Sequence, residues 1–230
     1  MRRVATLYRT TVGKKVLMAV SGVVLFGFVF SHMVGNLKML FPVDAAGHYP
    51  MNVYAEFLRD FGYPLLPHSG FLWLFRLLLI GAVVLHIAMA LQLSQRSRAA
   101  RPQAYGKNQD LSLNYASRTM RWGGVILLLF IVYHILHFTT GQAHPEFVYG
   151  AVHQNYVSAF QSPLIFGVYL IAQTALAFHL YHGVWSFFQT LGLSHPKYDH
   201  LRRAAAAVFA VVIFIGFLTP ATLVLAGVIS

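Results

Sequence analysis

The chain has 230 residues and a mass of 25.7 kDa, is 57% hydrophobic and 10% charged, and carries a formal net charge of +11 with twelve histidines and no cysteine. A soluble domain of this size holds roughly a quarter charged residues; so apolar a chain is no disordered basic tail, and one without cysteine has no disulfide, thiolate zinc site, iron–sulfur ligation or cysteine nucleophile. A pI near 10.1 ordinarily signals nucleic-acid binding, so the placement of the bases decides its meaning.

Five stretches contain no Asp, Glu, Lys or Arg: Val16–Leu37, Leu77–Gln95, Trp122–Pro145, Phe147–Pro196 and Ala204–Ser230. A membrane-spanning helix needs about 20 apolar residues to cross ~30 Å of hydrocarbon. Helices are therefore expected over 16–38, 71–93, 120–140, 163–191 and 204–226. The first run is too long for a signal-peptide core and lacks an A-x-A cleavage site, so it is expected to be retained. Residues 39–70 hold Phe57, Phe61 and Tyr63, with Glu56, Arg59 and Asp60 at near-helical spacing, and predict a short helix on the membrane surface. Residues 94–119 are polar and basic, suited to a partner or to anionic headgroups. Ser162 and Pro163 supply an N-cap and a first-turn proline for the fourth helix. At about 29 residues, some 43 Å long, that helix must tilt or protrude. Pro220 predicts a kink in the fifth. No period-two alternation suggests a β-barrel. The expectation is one all-α integral membrane domain over 1–230, with five transmembrane helices.

The bases then explain themselves. Arg2, Arg3, Arg9, Lys14 and Lys15 precede the first helix; Arg96, Arg98, Arg101, Lys107, Arg118 and Arg121 fill or flank the second connection; Lys197, Arg202 and Arg203 fill the fourth. These segments hold fourteen of the seventeen bases, which predicts a cytoplasmic N-terminus and an outer C-terminus in a cell membrane. The positive charge reads as topology, with lipid as a partner and no nucleic acid.

Six histidines lie in connections, His48, His68, His144, His153, His195 and His200, and are expected to be solvated. Six lie in apolar helices, His32, His86, His134, His137, His179 and His182, where an ionisable group marks function by default. The first four helices each carry at least one. A six-coordinate haem takes two axial imidazoles from opposite faces, so four such helices suit two b-type haems. Zinc would favour a tetrahedral set, often with carboxylates. Small residues that would admit a flat macrocycle, or simply another helix, are Ser21, Gly22, Gly27, Gly81, Gly123, Gly124 and Gly183. Counting from the flanking bases at 1.5 Å per residue, His32 lies about 26 Å and His134 about 20 Å from the inner face. His86 lies about 15 Å from that face, and His179 about 25 Å from the outer one. That ordering pairs His32 with His134 and His86 with His179. His137 and His182 stand three residues beyond His134 and His179, on roughly the same helix faces.

The segments FSHMVGN (30–36), VLHIAMA (84–90), FIVYHILHF (130–138) and above all FHLYHGVWSFFQTLG (178–192) resemble the single-subunit, five-helix, dihaem cytochrome b of succinate dehydrogenases and fumarate reductases. The resemblance implies a dihaem bundle made by the first four helices, with His32, His86, His134 and His179 as axial ligands. His134 and His179 match its pattern better than His137 and His182, which could bind a propionate or line a pocket. It also implies cytoplasmic flavoprotein and iron–sulfur subunits, electron transfer to a quinone (menaquinone being the expected one), and a complex able to oligomerise. The chain itself would not perform the dicarboxylate chemistry. Arg118, Arg121 and Trp122 would serve the propionates of the inner haem, Arg76 or Lys38 those of the outer. Glu56, Arg59, Asp60 and His68 are the candidate quinone cluster. Some relatives carry a glutamate just before the fourth-helix ligand, where this chain has Ala177 and Phe178. Competing readings are a dihaem anchor of another quinone-linked dehydrogenase, or a histidine-lined metal or proton transporter.

Overall fold

The computed structural model describes residues 8–100, 111–193 and 195–230, with side chains in the second segment from 120 onward. Arg2, Arg3, Arg101, Lys107 and the side chain of Arg118 lie outside the described residues. The helices are α1 (Thr11–Asn36), extended by a 3-10 turn Leu37–Leu40, then α2 (Pro50–Asp60), α3 (Gly70–Ala99) and α4 (Leu111–Phe138). After these come α5 (Val152–Phe160), α6 (Pro163–Thr190), a 3-10 turn Pro196–Tyr198 and α7 (Asp199–Leu225). Among the described residues there is no strand. Five of the helices, α1, α3, α4, α6 and α7, are long and apolar enough to cross a membrane. The chain is a multi-pass membrane protein.

The termini of the spans follow local chemistry. Thr10 caps α1, its hydroxyl accepting from the Gly13 N–H at 2.9 Å. Pro50 and Pro163 open α2 and α6, where a missing N–H costs nothing. The spans outrun their apolar cores. α3 continues to Ala99 because Gln92, Gln95, Arg96 and Arg98 are good helix formers. Its end is also tied to α1: Arg96 donates to the Arg9 carbonyl (2.8 Å) and to Thr11 Oγ1 (3.2 Å). Lys14, 4% exposed, hydrogen-bonds Gln92 and lies 4.3 Å from the Tyr8 ring centroid. α7 begins at Asp199, a first-turn carboxylate that suits the helix dipole and pairs with Arg202 and Arg203 at 2.6 and 2.8 Å. Pro220 lies within α7, which stays helical through it.

α6 is the hub, packed on α4, α7, α5 and α1. Buried Ala206 and Ala210 let α7 approach closely. α3 packs on α1, and no comparably close packing joins it to α4 or α6 among the described residues. One core cluster, Met33, Leu180, Ala210 and Ile213, joins α1, α6 and α7. A second gathers Met39, Met51, Tyr156, Phe160, Tyr169 and Val224 at the end opposite the N-terminus.

That second cluster depends on a helix the apolar pattern did not reveal. The short helix expected in 39–70 is present as α2, and the segment between the helices expected over 120–140 and 163–191 contains α5. α5 lies against α2, α6 and α7. Asn155 pins it, accepting from the Val148 N–H (2.9 Å) and donating to the Val148 carbonyl (2.8 Å). Asn52 of α2 accepts from the His153 N–H at 2.8 Å. The solvated expectation is therefore wrong for two histidines: His144 is 5% and His153 6% exposed. His153 stacks on Tyr49 at 3.8 Å, and His144 Nε2 lies 3.0 Å from Ser158 Oγ. His48, His68, His195 and His200 are exposed as expected.

Candidate functional site

Nearer the N-terminal face, His86 of α3 meets His179 of α6, with ring centroids 6.2 Å apart. His86 Nδ1 lies 3.2 Å from the Met18 carbonyl and 3.3 Å from Ser21 Oγ. The Ser21 hydroxyl donates its proton to the backbone carbonyls of Leu17 or Met18 (2.9 and 3.0 Å), so toward His86 it can only accept. His86 is thereby assigned the Nδ1–H tautomer, with the Nε2 lone pair free. A Cβ on Gly22 would stand 3.5 Å from His86 Cε1. His179 Nδ1 is buried without a hydrogen-bond partner among the described residues.

Toward the opposite face, His32 of α1 meets His134 of α4 at 5.7 Å between centroids, nearly edge-on at 78°. Phe28 stacks on His32 at 5.3 Å, and Phe217 lies 5.7 Å away. His134 Nδ1 is 3.2 Å from the Tyr169 hydroxyl of α6. His137, buried, turns instead toward Tyr133 (5.2 Å), Phe138 (4.5 Å) and His144 (4.8 Å). His182 contacts the Tyr181 ring at 5.2 Å.

Imidazole–metal bonds run about 2 Å, so two imidazoles on opposite sides of one ion stand about 6 Å apart between centroids. Both pairs meet that spacing. Among the described residues the one grouping of three or more His or acid ligand atoms is Glu56, Asp60 and His68, so neither pair has the further ligands of a tetrahedral zinc. The glycines bear on the same question. A Cβ at Gly27, Gly81, Gly124 or Gly183 would meet nothing within 4 Å among the described residues, so no helix described there demands glycine. Paired imidazoles, one pair flanked by Phe28 and Phe217 and the other with an unmet buried nitrogen, fit a bis-imidazole b-type haem at each level.

The remaining sequence candidates are placed as follows. Arg76 lies over the Trp73 ring (4.9 Å) and Lys38 over Phe41 (5.3 Å); Arg121 and Trp122 are exposed on α4. Glu56, Arg59 and Asp60 of α2 come together with His68 of the following turn, with Glu56, Asp60 and His68 exposed and Arg59 largely covered. Arg59 pairs with Glu56 at 2.7 Å and His68 with Asp60 at 2.9 Å, and the Ser69 N–H closes the turn onto the Arg59 carbonyl. From this cluster a row of rings leads inward: Phe57–Phe61 (5.7 Å), Phe61–Phe71 (4.7 Å), Phe71–Phe75 (6.4 Å), Phe75–Phe28 (6.1 Å), and so to His32. Neither this row nor Tyr169 was evident from the sequence; a tyrosine inside a span, whose hydroxyl must find a partner, was the available signal for the latter. Outside the spans, burial lowers the pKa of His153, and that of His144, which Glu146 partly opposes. Burial raises that of Tyr156.

Five apolar spans and two imidazole pairs at different depths define a multi-pass helical membrane protein of a recognisable kind. The family described as succinate dehydrogenase/fumarate reductase transmembrane subunit matches residues 94–219, more than half of the sequence, and the chain belongs to it. It is a membrane-anchor subunit, of a cytochrome b-type family that generally binds haem and quinone and associates with a flavoprotein and an iron–sulfur subunit. The matched region includes His134, His137, His179 and His182, whereas His32 and His86 precede it. No curated protein and no solved structure matches the chain.

Proposed function

We propose that this subunit carries electrons between the iron–sulfur subunit and a membrane quinone through two b haems. His86 and His179 hold the inner haem, His32 and His134 the outer. The observation that carries the reading is the pair of facing imidazoles at 6.2 and 5.7 Å on four different helices. Each haem, when bound, supplies a centre that takes up and releases one electron. The chain's own residues supply the rest. Met18 and Ser21 hold His86 with Nε2 free. Arg118, Arg121 and Trp122 are proposed to meet the inner propionates, and Lys38 and Arg76 the outer ones, with His182 in support of the inner pair.

The base-rich N-terminal face lies in the cytoplasm and receives the partner subunits. Menaquinone is the proposed substrate, near the opposite face. Glu56, Arg59, Asp60 and His68 gather protonatable groups there, which quinone reduction requires. The phenylalanine row joins that cluster to His32 through an apolar layer.

The test is a reduced-minus-oxidised spectrum of the purified complex with haem counted per chain. Two b haems are expected. No b-type absorbance overturns the reading, and a single haem overturns the two-pair assignment.

A further inference from the structure

His134 and His137 stand three residues apart on α4, and one hydroxyl touches both. Tyr169 Oη of α6 lies 3.2 Å from His134 Nδ1 and 3.0 Å from His137 Nδ1. Tyr169 is 6% and His137 2% exposed, so water does not substitute for these bonds. Among the described residues the two nitrogens are the hydroxyl's only hydrogen-bond partners. A phenol has one proton to give and lone pairs to accept with. The ring that receives the proton at Nδ1 must carry its own on Nε2. The other ring then donates its Nδ1–H to the oxygen and keeps a free lone pair on Nε2. One buried hydroxyl thus holds two neighbouring histidines in opposite tautomers.

Geometry decides which is which. The shorter contact is to His137, whose ring is packed among Tyr133, Phe138 and His144. Of the two, His134 is the one whose ring faces His32. We infer that Tyr169 is the positioning residue of the outer pair: it donates to His137 and accepts from His134, so that His134 alone offers a free Nε2 to a metal. The inference rests on the haem reading above and goes beyond it by assigning what selects the ligand within the doublet.

The test uses the purified complex with Tyr169→Phe, which keeps the ring against Phe130 and Phe160. Haem per chain, the paramagnetic resonance signal of each oxidised haem and both midpoint potentials are read. Both haems should remain. The outer potential should rise, because an imidazole that loses its acceptor is a weaker base and stabilises the oxidised metal less. The outer signal should also split as His137 competes, and adding His137→Leu should restore a single signal; the inner haem should not change. Unmoved potentials and signals overturn the inference, as does loss of the outer haem in His137→Leu alone. Should Tyr169→Phe fail to assemble, 3-fluorotyrosine at 169 keeps the shape and weakens the acceptor. It must then shift the outer potential in the same direction, and no shift overturns the inference. An unaltered complex devoid of b haem overturns the underlying reading as well, whereas two haems indifferent to residue 169 overturn the inference alone.

Discussion

Met33 of α1 occupies the notch left by Gly216 in α7, and its thioether would overlap any Cβ placed there. The contact joins helices that share the Met33, Leu180, Ala210 and Ile213 cluster, one residue away from His32. Gly216→Val should therefore destabilise the bundle by about 1–3 kcal/mol through overpacking. Thermal melting in detergent measures it. Gly167→Ala, where a Cβ meets nothing within 4 Å, is the control and should melt no lower than the unaltered chain.

The two imidazole pairs predict a pattern of paired losses. His32→Ala and His134→Ala should each remove the same haem, and His86→Ala and His179→Ala the other, by absorbance and haem per chain. His137→Ala and His182→Ala should retain both. A haem lost from both groups of variants, or retained throughout, would contradict the pairing.

Ser21→Ala removes one of two groups accepting from His86 Nδ1 and leaves the Met18 carbonyl. Loss of such an outer partner weakens metal retention about tenfold or more. Inner-haem dissociation, followed by transfer to an apo acceptor, should accelerate by that order while the outer haem is unaffected.

Acid should loosen the cap formed by α5. Burial holds the pKa of His153 and His144 below the ordinary imidazole value of 6.5, so both rings are neutral near pH 7 when folded. On opening, the exposed rings bind protons near 6.5. Their contribution is therefore complete above that pH and declines as pH falls toward the folded values. The protection of amides in residues 141–160, taken relative to the intrinsic exchange rate at each pH, should fall as pH drops from about 7.5 to about 5.5, and His153→Gln should flatten that dependence.

The five spans were legible because a lipid-crossing helix must be apolar over about 20 residues, a signal that needs no tertiary information. Their ends were not: the helical stretch from Gln92 to Arg98 is polar, and it is set by propensity and by Arg96 reaching back to Arg9. Depth along each helix was enough to order the four histidines into the pairs that lie together. The burial of His144 and His153 was beyond reach, since α5 is short and acquires an interior only by lying on α2, α6 and α7. Tyr169 was hidden for a related reason. Its partners come from another helix, and no spacing within α6 announces them.

The pairing of α1 with α4, and of α3 with α6, also has a consequence for synthesis. A chain is made from its N-terminus, and its segments enter the membrane in that order. His32 and His134 are both present before His179 has been translated. The His32–His134 pair therefore has its two rings one helix ahead of the His86–His179 pair. Tyr169, which touches the first, arrives on the same segment that completes the second.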